Sequence, residues 1–174
     1  MTVLETDRLL LSPLSYDDCE FIFELVNEPS FKRFVGDKKV ASADDARRYL
    51  RDGPIDNYER YGYGLYLVTL KDSGERVGIC GLLRRQQFED PDLGFAFLER
   101  FHNSGYASES TKAVLAWAFD TLKFSRVIAI ADRQNAPSVR ILDKLGFAYI
   151  EDVRMRGDEH DIGLYSTTRV IHAR

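Results

Sequence analysis

Residues 95–110, F-A-F-L-E-R-F-H-N-S-G-Y-A-S-E-S, restrict the fold of this chain more than any other stretch. An apolar run at 93–98 suits a fully buried strand; the polar loop of His102, Asn103, Ser104 and Gly105 follows, and a helix opens near Tyr106. The first turn of a helix has backbone N–H groups without intrahelical partners and carries the positive end of the dipole. A loop entering it this way can cradle a phosphate or pyrophosphate. The motif is short, and Gly105 can equally supply no more than a left-handed turn.

At 174 residues the chain has the length of one domain, residues 1–174, with a real core. A formal net charge of −4 argues against a nucleic-acid surface, which needs clustered Lys and Arg, and is compatible with a cationic acceptor. Cys19 and Cys80 are too few for a disulfide framework and sit in no metal-ligand spacing, so a reducing compartment and no metal are expected. The charged N-terminal residues do not suit a signal peptide, and no apolar run approaches a membrane span. The expectation is a cytoplasmic protein without membrane or nucleic-acid partners; a homodimer is allowed but not required.

Residues 8–14 read as a first strand ended by Pro13. Ser15 caps a helix with Asp17 and Asp18 in its first turn, and Asn27-Glu28-Pro29 stops it. Residues 30–40 show no clear period, and Ser42 opens a second helix that Gly53-Pro54 interrupts. Phe31, Phe34, Tyr49, Tyr58 and Tyr61 in this region can line an acceptor pocket or simply pack. Strands at 64–70 and 76–84 form an antiparallel hairpin, and the helix after Gly105 turns Ala107, Thr111, Val114, Leu115, Ala118 and Leu122 to one side. A strand at 126–131 then lies parallel to the one at 93–98. Asn135 is a good N-cap, Gly146 suits the left-handed position after that helix, and strands at 147–155 and 162–169 complete a mixed sheet.

Five segments in this order resemble the GNAT superfamily of N-acetyltransferases, and within it the RimJ/RimL-type ribosomal-protein N-acetyltransferases. They are E-T-D-R-L-L-L-S-P-L at the start, G-I-C-G-L from Gly78, L-G-F-A-F-L from Leu93, the loop into G-Y-A at Gly105, and N-A-P-S-V-R-I-L-D-K-L-G-F from Asn135. The resemblance implies an α/β fold with a mostly antiparallel central sheet, a parallel strand pair at the cofactor cleft and flanking helices. It also implies acetyl-CoA as co-substrate, held by the loop His102, Asn103, Ser104, Gly105, Tyr106, Ala107 and Ser108. His102 replaces the family's usual Gln or Arg, and Asn103 stands where close relatives often have Gly. Backbone groups near Phe97 and Leu98 would pair with the pantetheine arm, Asn135 would hydrogen-bond it, and Ser138 would lie near the sulfur.

Attack of an amine on a thioester needs a neutral amine, a place for carbonyl charge and a proton for the departing thiolate. Holding a lysine neutral at pH 7 costs roughly 4 to 5 kcal/mol, against about 1 to 1.5 for an α-amine. For an N-terminal α-amine, which the resemblance suggests, a modest base acting through water suffices. Asp92, where relatives often carry Glu, is the candidate base or else a loop carboxylate; Ser138 is the candidate acid or else a first-turn helix residue. Tyr149 and Tyr165 are alternative acids, and a main-chain N–H near Leu98 is the expected oxyanion donor. Cys80 is expected to be buried and inert, and Glu109 to serve its helix dipole. Two alternatives stay open: a CoA-binding sensor without turnover, and acetylation of a small-molecule amine.

Overall fold

The computed structural model describes residues 1–169. Its strands are β1 (Leu4–Glu5), β2 (Leu9–Pro13), β3 (Leu65–Leu70), β4 (Arg76–Leu83), β5 (Asp92–Phe97), β6 (Arg126–Ala131), β7 (Ala148–Arg154) and β8 (Asp161–Thr168). The helices are α1 (Cys19–Asn27), α2 (Pro29–Phe34), α3 (Ala43–Leu50), α4 (Asp56–Tyr61), α5 (Tyr106–Asp120) and α6 (Ala136–Lys144). One sheet runs β1-β2-β3-β4-β5-β6-β8-β7, and only β5 and β6 are parallel. The mixed, mostly antiparallel α/β architecture is the expected one.

Alternation along the strands sorts the core onto two faces. Tyr66 and Val68 of β3 pack with Val114, Leu115 and Ala118 of α5 on one side. Leu65 and Leu67 join Phe21, Ile22 and Leu25 of α1 and Leu50 of α3 on the other. In β4 the alternation slips at Val77, which the β3 register skips, so Val77 and Ile79 pack on opposite faces. Trp117 of α5 meets Tyr66 edge-on at 5.8 Å between ring centroids.

Three expectations change. The short strand β1 was not legible, because two residues carry no period. Residues 30–40, read as aperiodic, begin with α2, where Pro29 sits at the first helical position. Gly53-Pro54 does not break the chain; a wide turn at Arg51–Ile55 absorbs Pro54 and leads into α4. That turn places Tyr58 stacked on Tyr66 at 5.4 Å, with its hydroxyl accepting from Leu14 N–H and donating to Leu65 O.

Two carboxylates lock α2 to the end of β5. Glu99 N–H donates to Glu28 Oε2 at 2.7 Å, and Ser30 N–H donates to Glu99 Oε1 at 2.9 Å. Close packing of β4 on β5 needs Gly78, where an added Cβ would lie 2.5 Å from Ala96 O and 2.5 Å from the Phe97 ring. Gly78→Ala is therefore expected to destabilise the fold by about 1–3 kcal/mol, read as a lower urea midpoint.

Candidate active site

Strands β4 and β5 are in register over six residue pairs, but β5 and β6 meet at one, Asp92 with Ile128. Ile128 N–H donates to Pro91 O at 2.9 Å, and beyond this point the strands diverge. Backbone groups along an antiparallel strand point alternately to either side. Leu98 N–H donates to Val77 O at 3.0 Å, so Leu98, Ala96 and Gly94 face β4, and the N–H and C=O groups of Phe95 and Phe97 face the gap. This corrects the assignment of Leu98: its carbonyl also accepts from Phe101 N–H at 2.9 Å, so neither of its main-chain groups points into the cleft. The strand was legible but its parity was not, and Phe95 stands where Leu98 was expected. Phe97 O accepts from His102 Nε2 at 2.9 Å.

The loop turns through two left-handed residues, Asn103 (φ 62°) and Gly105 (φ 82°). Asn supports this conformation better than most residues, so the loop turns here without a glycine. Two other helices carry side-chain caps, Ser42 Oγ accepting from Asp45 N–H at 3.1 Å and Asn135 Oδ1 from Ser138 N–H at 3.4 Å, whereas α1, α2 and α4 carry none. No side chain caps α5, whose first intrahelical bond runs from Glu109 N–H to Gly105 O at 3.0 Å. The N–H groups of Gly105, Tyr106, Ala107 and Ser108 are thus left for an acceptor from outside the helix. A cleft of about 500 Å³ opens there, bounded by His102, Asn103, Phe95, Phe97 and α6. Arg140 and Lys144 of α6 also line it. Sequence reasoning missed both, although their four-residue spacing places them on one helix face.

Ser104 lies on the outer side of the loop, apart from the residues bounding the cleft, and its carbonyl accepts from Arg8 at 3.0 Å. Arg8 also donates to both oxygens of Glu109, from its N–H at 2.9 Å and Nε at 2.7 Å, and its guanidinium lies 4.7 Å from the Tyr106 ring centroid. Thr6 Oγ1 completes the clasp at 2.6 Å from Glu109 Oε1. Burial would raise the Glu109 pKa, but the hydrogen bonds from Thr6 and Arg8 outweigh it and lower it. Glu109, expected to serve only the dipole, ties the N-terminal segment to the loop.

A second cavity of about 960 Å³ lies on the other side of Phe95, Asn135 and Ser138, which line both spaces. Phe31, Phe34 and Tyr49 contribute to its wall, whereas Tyr58 is committed to packing and Tyr61 is exposed. Asp92 is 1% exposed in this wall. Arg85 Nε donates to its Oδ2, while its Oδ1 has no partner among the described residues. Burial raises the Asp92 pKa above the ordinary carboxylate value, and Arg85, with a smaller contribution from the nearby Ile130 N–H, opposes that shift without cancelling it. Tyr149 and Tyr165 line neither space. Burial pushes the Cys80 thiol up to about 12, far from nucleophilic use. Among the described residues no cluster of His, Cys, Asp or Glu is placed to hold a metal ion, and no helix is long and apolar enough to cross a membrane.

Residues 8–148 match the family model described as acetyltransferase (GNAT) domain. The chain belongs to the GNAT acetyltransferase family. It is an N-acetyltransferase with an acyl-CoA co-substrate and an amine acceptor. The uncharacterized N-acetyltransferase YjdG of Bacillus subtilis is 30% identical, with 84% of this chain and 90% of that protein aligned. An acetyltransferase structure from Agrobacterium tumefaciens is 25% identical with a TM-score of 0.80, covering 95% of this chain and 94% of the other. RimL, the ribosomal L7/L12 alpha-N-protein acetyltransferase, shares the fold with a TM-score of 0.81 at 16% identity, covering 97% and 94%.

The uncapped donors of α5 and the unpaired groups of β5 fit an anionic tail followed by an amide-bearing arm. Gly105→Ala would strain a left-handed residue by roughly 1–2 kcal/mol and bring a Cβ to 3.1 Å from Arg8. Calorimetry should show CoA affinity reduced about tenfold. Arg8→Ala, which frees the loop, should weaken CoA to a similar degree, about tenfold for the lost charged hydrogen bonds.

Proposed function

We propose that this GNAT enzyme transfers the acetyl group of acetyl-CoA to an α-amine, such as a protein or peptide N-terminus, by direct attack. The observation that carries the reading is the wall shared by the two spaces: Asn135 and Ser138 border both, so a group held in one can meet a group held in the other. Acetyl-CoA supplies an acyl carbon activated by a thiol leaving group.

The N–H groups of residues 105–108, with Arg140 and Lys144 nearby, would hold the phosphates. The main-chain groups of Phe95, the N–H of Phe97 and the free amide N–H of Asn135 would orient the pantetheine arm, Phe97 O being held by His102. Asn135 Oδ1 is already engaged by Ser138 N–H, which leaves its amide nitrogen to donate. An N–H of Phe95 or Phe97 facing the gap is the donor suited to negative charge on the carbonyl oxygen. Ser138, half-buried at the junction, would pass a proton to the departing thiolate, itself or from water.

Asp92 would take the amine proton through a water admitted beside its partnerless Oδ1, since burial keeps the carboxylate from touching an acceptor directly. The base form is the ionised one, so kcat/KM should rise with pH through the elevated Asp92 pKa. Removing Arg85 takes away the charge that holds this pKa down, and Arg85→Gln should shift the acid limb to higher pH. Asp92→Asn should abolish that limb and lower kcat by about a hundredfold or more. If the limb persists in Asp92→Asn, Asp92 serves only to fix Arg85. Thiol release from acetyl-CoA with N-terminal peptides, lysine side chains, polyamines and free antibiotics tests the acceptor class. Turnover confined to antibiotics would favour small-molecule acetylation, and CoA binding without turnover on any amine a sensor.

A further inference from the structure

The wall of the larger cavity is cationic in a chain that is acidic overall. Lys38, Arg84, Arg85 and Arg156 line it, on three separate segments brought together by the fold. Asp92 is paired with Arg85, and Arg154, also in the wall, with Asp161; Asp132 accepts from the N–H of Gln134 at 2.8 Å in its own turn and keeps its charge. Asp158 lies near Lys38 and offsets one charge. Arg84 is half-buried with its charge near Tyr63, Arg156 is exposed on the β7–β8 hairpin, and among the described residues neither forms an ion pair. Arginines at a cavity wall without carboxylate partners offer paired, fixed N–H donors shaped for a planar anion.

We infer that the acceptor carries a carboxylate, held by Arg84 and Arg156 while its α-amine faces Ser138 at the junction with the cofactor cleft. The inference rests on the proposed α-amine transfer and names the acceptor's chemical class: a free amino acid, or a peptide whose residue after the N-terminus is acidic. The net charge of −4 is compatible with a cationic acceptor without identifying one, and the charge of this cavity wall favours an anionic group instead. A volume of about 960 Å³ accommodates a small peptide as well as one amino acid, and both sources share the required chemistry.

The test compares acceptors differing only in charge: alanine with alaninamide, and Ala-Glu-Gly-amide with Ala-Gln-Gly-amide and Ala-Lys-Gly-amide. Rates are normalised to the neutral amine fraction, and thiol release is paired with calorimetric titration of each acceptor into CoA-saturated enzyme. The expected result is a preference of roughly tenfold or more for the carboxylate member of at least one pair. That preference should shrink toward unity in Arg84→Gln and in Arg156→Gln; the second lies on an exposed hairpin, and CoA heat checks that both fold. Preference within the alanine pair identifies a free amino acid, and within the peptides an acidic N-terminal segment. Equal affinity and rate across each pair, or preference for the amide or lysine member, overturns the inference while leaving acetyl transfer intact. Carboxylate-selective binding without thiol release from any acceptor upholds it and overturns the transfer reading instead.

Discussion

Two strands that part after a single bridged pair leave main-chain donors and acceptors inside a protein with no neighbour to bond. Each such group, if buried and unmet, costs about 1–3 kcal/mol; here Phe97 O is met by His102, and the half-buried Phe95 keeps its groups open to the cleft. The segment that creates this gap also runs directly into the uncapped start of α5. A right-handed crossover through α5 then returns the chain to β6 and fixes the helix against the sheet. Anion donors and unpaired strand groups therefore stand side by side because they belong to consecutive residues.

The scaffold keeps this arrangement from collapsing by means spread along the chain. Gly78 lets β4 approach β5 closely, and the slip at Val77 keeps both faces of β4 packed. The Arg8 clasp joins residues about a hundred positions apart, with Arg8 half exposed and Glu109 partly buried. Exposed ion pairs contribute little to global stability, so the weight of this one lies in the conformation of residues 103–106. Glu28 and Glu99 do the same for α2, whose Phe31 and Phe34 border both spaces.

What could be read beforehand was whatever depends on local pattern. The crossover β5–α5–β6, the Asn135 cap and the left-handed Gly146 all follow from period and turn chemistry, and they appear as expected. Segments with little pattern were misjudged: β1 is too short to alternate, and the wide turn at Arg51–Ile55 exists because Tyr58 has a tertiary partner in Tyr66. At the site, loop residues were legible, but the parity of β5 was not, so Leu98 was chosen where Phe95 faces the gap. Arg140 and Lys144 share a helix face by their spacing, but which cavity that face meets, like the clasp around Glu109 and the placing of Arg84 and Arg156, depends on long-range contacts that spacing does not encode.

The charges of the two spaces bear on how the amine loses its proton. Positive groups stand at both ends, the α5 N-terminus with Arg140 and Lys144 at one and Arg84, Arg85 and Arg156 at the other, with Ser138 between them. The Lys38 ammonium, exposed at the rim of this field, has its pKa lowered by desolvation and by the charge of Arg85, with Asp158 opposing. An acceptor amine bound among the same groups is pushed in the same direction, toward its neutral, nucleophilic form. An α-amine starts only about 1 to 1.5 kcal/mol from that form at pH 7, so a modest shift removes most of the barrier to deprotonation. On the proposed reading the cationic wall would have two consequences from one cause: it would anchor an anionic group on the acceptor and discourage protonation of the amine beside it. On this account Asp92 acts less as a strong base than as the buried counter-charge that fixes Arg85 in the wall, with its partnerless oxygen available to a water that carries the proton away.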